Sequence, residues 1–376
     1  MMNLWQNLFE IPYQVSRYGI TAQRWLWILI GLAGALVAGC QPPPPSLTPS
    51  PMAFPSTPTA LPSVTTASPS APTALPSMPT ALLPSPTPRV ESEMSPTATA
   101  PVQPPMPAIS AWDAVTSWAY QLTDYPNDSL DEIAASGYDL VVIDLTRDGS
   151  TDYFTLEEIR NIQATGKIVL AYFEIGAIEN YRPEWATVPK DLKLGPVANW
   201  PGEQHVRYWE PRWWPVVQGR IDRALAAGFD GAYLDMVTTY EQISGRDTGL
   251  SIKERAQAMV DLIVKISAYA KERNPAFKVV PQNAPELYVW PGYLDAIDGL
   301  GVEELYFRAT DKPCTARWCA ENREATLAVR AAGKLVLTVD YATRPNNVRA
   351  AYAQSCADGF VPYVTTVELD RLSNYP

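Results

Sequence analysis

Five short apolar runs of this chain close on a carboxylate. Asp144 ends YDLVVID, Glu174 ends KIVLAYFE, Asp235 ends GAYLD, Glu303 or Glu304 ends GLGVEE, and Asp340 ends KLVLTVD. A carboxylate without a partner is costly to bury, so acids rarely recur at the ends of buried strands by accident. Any one of them also fits a helix cap or a loop ion pair, Asp144 before Thr-Arg-Asp-Gly most readily. As a set they describe a working face.

The other reactive residues narrow what that face could do. The single histidine, His205, lies in a Trp/Pro-rich stretch and not at a run end. Ser-His-Asp and Cys-His catalysis therefore lack a base, and metal-assisted hydrolysis lacks its usual imidazoles. No cofactor or metal is expected. Two carboxylates flanking a bond are what glycoside hydrolysis requires, one moving a proton and the other attacking or activating water. Flat aromatics at or beyond the run ends, among them Tyr120, Tyr172, Trp209 and Tyr306, suit pyranose faces. Amides such as Gln282 and Asn283 suit hydroxyls.

Eight apolar runs must position these groups. They are SWAYQL (117–122), YDLVVIDL (138–145), KIVLAYFEIG (167–176), GAYLDM (231–236), KVVPQN (278–283), GLGVEEL (299–305), KLVLTVDY (334–341) and FVPYVTT (360–366). Helical segments separate several of them: SLDEIAASG, TLEEIRNIQATG, VVQGRIDRALAAG, IKERAQAMVDLIVKISAYAKERN and ENREATLAVRAAG. Several of these stop on Gly just before the next run, an expected helix end. Near-continuous apolar strands alternating with helices indicate a parallel sheet buried on both faces. Eight in about 260 residues match an α/β fold of the (β/α)8 TIM-barrel type, whose working face lies at the C-terminal strand ends. An open doubly wound sheet is the alternative, but no strand is followed by a glycine-rich phosphate loop.

The rest of the 376-residue chain reads differently. Residues 25–38 are an unbroken apolar run, short for a membrane span, followed by Gly39-Cys40. The pattern resembles a bacterial lipoprotein signal over 1–40, with Cys40 lipidated and the remainder exported, extracytoplasmic and anchored to the membrane. Residues 41–108 hold 21 of the 37 prolines amid Ser, Thr and Ala. That composition suits a disordered, extended linker. The domain is 109–376. It carries the whole net charge of −11, because 1–108 has equal numbers of acids and bases. Such a balance disfavours nucleic acid as a partner and favours cationic polymers. Three cysteines remain in the domain. Cys314 and Cys319 suit a short disulfide, which would leave Cys356 as a free thiol.

Five stretches carry a family likeness: AYFEIGAIENYRPEW (171–185), VRYWEPRWWPVV (206–217), AAGFDGAYLDMV (226–237), VPQNAPEL (280–287) and GVEELYF (301–307). In order, across nearly all of 110–370, they resemble glycosidase-like proteins related to the endo-α-1,4-polygalactosaminidases of glycoside hydrolase family 114. The resemblance implies a (β/α)8 barrel acting on α-linked galactosamine-containing polysaccharide, with the acid of GFDGAYLD, here Asp235, and the acid of the sixth strand as the catalytic pair. Strand alternation lets only one of Glu303 and Glu304 face the site, and the likeness places that role on Glu303. It implies pocket positions at Tyr172, Asn283, Asp340 and Tyr341. Relatives often have a small residue where this chain has Glu174, another strand-end acid, so its subsite preference is open. The expected scheme has Asp235 as nucleophile and Glu303 as acid/base, in a monomer whose partner is a polysaccharide. A non-catalytic carbohydrate-binding barrel, or another polysaccharide hydrolase, is the alternative.

Overall fold

The computed structural model describes residues 111–373. The signal-like segment, Cys40 and the proline-rich stretch lie outside the described residues. Each of the eight apolar runs contains one parallel strand: β1 (Trp118–Tyr120), β2 (Leu140–Asp144), β3 (Ile168–Glu174), β4 (Gly231–Asp235), β5 (Lys278–Pro281), β6 (Gly299–Glu303), β7 (Leu335–Tyr341) and β8 (Val361–Thr365). Strands β1 to β5 pair in chain order in one parallel sheet, and β6 to β8 pair in chain order in a second. A parallel bridge between Gln282 and Gly301 joins β5 to β6, and the Asn283 N–H donates to the Gly301 carbonyl at 2.7 Å. At the other seam the Trp118 indole N–H donates to the Val361 carbonyl of β8 at 2.9 Å.

The strands are almost wholly buried because helices cover the sheets. The main ones are α1 (Asp131–Ala135), α2 (Leu156–Gln163), α3 (Trp214–Ala227), α4 (Ile252–Arg273), α5 (Arg317–Ala331) and α6 (Pro345–Ala357). Thr155 with Glu158, and Ser251 with Glu254, form capping boxes that start α2 and α4. Such N-caps contribute about 1 kcal/mol each. Gly228, at φ 82°, ends α3 in the left-handed conformation and turns the chain into β4.

Aromatic rings fill the space beneath the strand ends. Tyr233 packs on Tyr120 at 5.2 Å between centroids and on Trp118 at 6.0 Å, and Trp118 meets Tyr363 at 5.8 Å. Gly301 makes room for this layer: a Cβ there would sit 1.9 Å from the Tyr233 hydroxyl.

Three features were not anticipated. Helix α6 begins Pro-Asn-Asn and has no strong apolar stripe, so it gives little periodic signal. The connection after β3 folds into an antiparallel three-stranded insertion, Ala177–Glu179, Glu203–Val206 and Lys193–Pro196. Its strands are short and rich in charge. The third feature concerns sulfur. Cys314 and Cys319 are disulfide-bonded, but among the described residues no cysteine is free, so the expected Cys356 thiol is corrected. An odd count within one domain does not by itself leave a thiol free.

Candidate active site

Asp235 and Glu303 end β4 and β6, and both are part-buried. Each is held by neutral donors. Asp235 Oδ2 accepts from the Tyr172 hydroxyl at 2.7 Å, and Oδ1 from the Met236 N–H at 2.5 Å. Glu303 Oε2 accepts from the Asn283 amide at 3.0 Å, while the Asn283 carbonyl oxygen accepts the Glu303 N–H at 2.9 Å. The Tyr341 hydroxyl donates to Glu303 Oε1. No cation pairs with either acid among the described residues. Burial first, and the nearby Glu303 carboxyl second, push Asp235 up to about 7, against the lowering effect of Met236 and Tyr172. A carboxyl raised into that range exchanges its proton near neutrality, which is the condition for acid–base work.

The backbone supports this placement. The residue after each acid has positive φ: Met236 at 58° and Glu304 at 56°. Asn283, at φ 63°, and Ala284, at φ 52°, follow β5 in the same conformation. Left-handed non-glycine residues cost of order 1 kcal/mol or more each and cluster where side chains must be aimed. Here they end the strands sharply and turn Met236 N–H and Asn283 toward the acids.

The choice between Glu303 and Glu304 is geometric. Glu303 remains in the strand, opposite Val339 of β7. Glu304 leaves it, and its Oε1 accepts the Ala309 N–H at 2.6 Å, closing its own loop. Burial raises the Glu304 carboxyl.

The structure gathers Tyr172, Asn283 and Tyr341 around the pair. It does not gather the rest of the expected pocket. Tyr120 is 1% exposed and its hydroxyl donates to Gln282 Oε1 at 3.1 Å, so it is floor and not lining. Asp144 is corrected to an ion-pair residue: the Arg182 guanidinium grips it at 2.8 and 2.7 Å, and Thr146 donates to it twice. Glu174, 2% exposed, points into a buried acid cluster with Glu179. Asp340 precedes Tyr341 and so takes the opposite strand face; it accepts the N–H groups of Tyr306 and Phe307 at 2.7 and 2.8 Å. Burial still pushes Asp340 up to about 7. Tyr306 is fastened to Asp358 at 2.6 Å. Trp209 packs edge-on to Tyr208 at 5.0 Å and beside Arg207, with no contact to the pair.

Sequence reasoning missed Met236 as a backbone donor and the insertion acids Glu179 and Glu203. The first follows an apolar strand and looks like core. The others sit in a segment with no apolar period, which left no strand end to mark them.

Comparison with known proteins bears on the family and the fold. The sequence model of glycoside-hydrolase family GH114 matches residues 94–376. An uncharacterized protein of Deinococcus radiodurans is 36% identical over 293 residues, covering 75% of this chain and 90% of that one. The crystal structure of Aspergillus fumigatus Ega3 in complex with galactosamine superposes with TM-score 0.55 at 18% identity, covering 69% of this chain and 94% of the other. The glycoside hydrolase domain of PelA from Pseudomonas aeruginosa gives TM-score 0.55 at 18% identity, covering 68% and 97%. These two likenesses concern the fold.

Proposed function

The chain belongs to glycoside-hydrolase family GH114, and from that premise we propose that it cleaves an α-linked galactosamine-containing polysaccharide as an endo-α-1,4-polygalactosaminidase-like enzyme. The strands close as a (β/α)8 barrel, with Asp235 and Glu303 at its C-terminal mouth. The observation that carries the reading is the pair itself: two strand-end acids, each oriented by a tyrosine hydroxyl and a second neutral donor.

Asp235 acts as nucleophile. Its two donors favour the carboxylate, and Glu303 acts as the acid that protonates the glycosidic oxygen. Tyr341 and Asn283 keep the Glu303 carboxyl in one orientation through both steps. In the retaining scheme Glu303 next activates water against the glycosyl–Asp235 ester; that scheme needs carboxyls about 5–5.5 Å apart, whereas about 6.5–9.5 Å would give inversion. The acidic domain draws in a polymer with free amines by long-range attraction. The whole works as a monomer, exported and held at the membrane by a lipid on Cys40, with 41–108 as a stalk.

The test is reducing-end release from a polysaccharide panel that includes partly deacetylated α-1,4-galactosaminan, by the chain and its Asp235→Asn variant. Release by the parent and not by the variant supports the reading. Binding by both with release by neither replaces it with a carbohydrate-binding barrel. An α-galactosaminyl fluoride separates the roles. It needs no protonation of the leaving group, so Glu303→Gln still releases a burst of fluoride from it and Asp235→Asn does not.

A further inference from the structure

Three acids meet beneath the insertion. Glu174 ends β3 and lies in register with Asp235 of β4. Glu179 and Glu203 face each other across the insertion's antiparallel ladder. They are 2%, 5% and 8% exposed, and each has one buried oxygen without a partner: Glu174 Oε2, Glu179 Oε2 and Glu203 Oε1. Like charges placed opposite one another on two strands are destabilising even at a surface.

The two guanidiniums facing this cluster are shared with other groups, and Arg220 Nη2 is itself buried without a hydrogen-bond partner. Arg182 binds Asp144 bidentately and spends Nε and Nη2 on Glu179 Oε1. Tyr181 donates to the same Glu179 oxygen. Arg220 of α3 gives Nη1 to the Glu174 carbonyl, and its Nη2 lies 3.8 Å from Glu184, which also pairs with Arg223. His205, beside Glu203, is driven down to about 4 by burial and is neutral; its Nδ1 meets Thr239. From β4 the cluster faces Asp235, itself an acid. Among the described residues, no group of His, Cys, Asp or Glu is arranged to hold a metal ion. Arg182 and Arg220 do not balance Asp144, Glu174, Glu179 and Glu203, and protons can neutralise the surplus carboxylates.

We infer that Glu174, Glu179 and Glu203 form one proton-sharing carboxyl cluster that fastens the insertion over the ends of β3 and β4 and keeps Glu203 uncharged beside Asp235, making Glu203 a positioning residue for that acid. Burial, with Glu179 and Glu203 beside it, holds the Glu174 carboxyl well above the usual glutamate range. Burial raises Glu179, but Arg182 and the neighbouring Glu174 together outweigh it and hold Glu179 at about 2 as the fixed anion. Burial first, then Asp235 and Glu179, push Glu203 up to about 8. While Glu203 keeps its proton, Asp235 ionises against Glu303 and Glu179 and not against a third acid. The inference rests on the reading that Asp235 reacts, but its first test does not.

That test is denaturant unfolding of the full chain from pH 4 to pH 9. A buried acid whose folded value lies above its unfolded value adds stability below the unfolded value, and that stability is lost as pH rises to the folded one. The parent should therefore lose stability between about 4.5 and about 8. Glu203→Gln stays uncharged, so its decline over that window should be shallower, with the variant the more stable at pH 8. Glu179→Gln should do the opposite, losing stability at every pH above 4.5. Parallel curves for Glu203→Gln and the parent would overturn the inference. If Glu203→Gln does not fold, the infrared band of protonated carboxyls in Glu174→Gln against the parent at pH 7 decides the same point; an unchanged band overturns it. The second readout is the pH profile of kcat/KM. In Glu203→Gln the acid limb set by Asp235 keeps its midpoint, because Glu203 is already uncharged there. A shift of that limb to lower pH would mean that Glu203 is anionic while Asp235 titrates, and would sink its positioning role.

Discussion

Buried acids gather in two places in this protein, and they are partnered differently. At the ends of β4 and β6, Asp235 and Glu303 have neutral donors only: Tyr172, the Met236 N–H, Asn283 and Tyr341. At the end of β2 and in the insertion, Asp144 and Glu179 close on the Arg182 guanidinium. Arg182 helps hold Glu179 down at about 2, so that acid keeps its charge across the working pH range, and the locked network contributes geometry. A carboxylate oriented by hydroxyls and amides, beside a second acid, keeps a proton that moves near neutrality. The count of acids does not separate chemistry from scaffold here; the partners set Asp144 apart, and the strand face sets Asp340 apart, whose donors are also neutral.

The comparison breaks most sharply on Asp235→Asn. If the first region is the chemical one, kcat falls by at least ~10³-fold on the polysaccharide while the fold is retained. Because burial and Glu303 raise the Asp235 carboxyl to about 7, its stabilising proton is lost as pH rises from the ordinary aspartate range to about 7. The variant should thus melt above the parent at pH 8 and not at pH 4. Equal melting at both pH values would contradict the raised acid.

Arg182→Ala strikes the second region. It leaves Asp144 and Glu179 buried without their cation, which should cost about 3–5 kcal/mol, or roughly 10 °C in Tm. Per folded molecule, kcat should change far less than in Asp235→Asn. A large kcat loss at unchanged Tm would place the arginine network in the chemistry and erase the distinction.

Smaller effects sharpen the first region. Tyr341→Phe removes one donor to Glu303, and Tyr172→Phe one donor to Asp235. Each should cost about 1.5–3 kcal/mol, roughly 10- to 100-fold in kcat/KM. Tyr172 lowers the Asp235 carboxyl, so Tyr172→Phe should move the acid limb of the pH profile above about 7, whereas Tyr341→Phe, which does not touch Asp235, should leave that limb in place. Smallest of all is salt. Raising ionic strength shortens the screening length from about 30 Å at 0.01 M to 10 Å at 0.1 M. KM for a cationic polymer should rise a few-fold, and KM for a neutral one should not.

Much of the framework was readable in advance. All eight strands fall inside apolar runs chosen by composition alone, since a strand covered on both faces must be apolar nearly throughout. Glycine stops such as Gly228 were readable because only glycine adopts that conformation without strain. Helix α6 and the insertion were not, because neither buries a continuous stripe of its own. Asp144, Glu174 and Asp340 looked equivalent to Asp235, since a strand-end acid carries no mark of its partner.

By itself, then, the sequence determined the alternation of strands and helices, the export-like N-terminal pattern as an expectation, and the short list of acids. Local composition and period suffice for those. Tertiary structure decided which acids stay titratable. Arg182 reaches Asp144 across 38 positions, Tyr172 reaches Asp235 across 63, and Tyr341 reaches Glu303 across 38. A carboxyl's proton affinity is set by burial and by groups within a few ångströms, and folding brings those groups from anywhere in the chain.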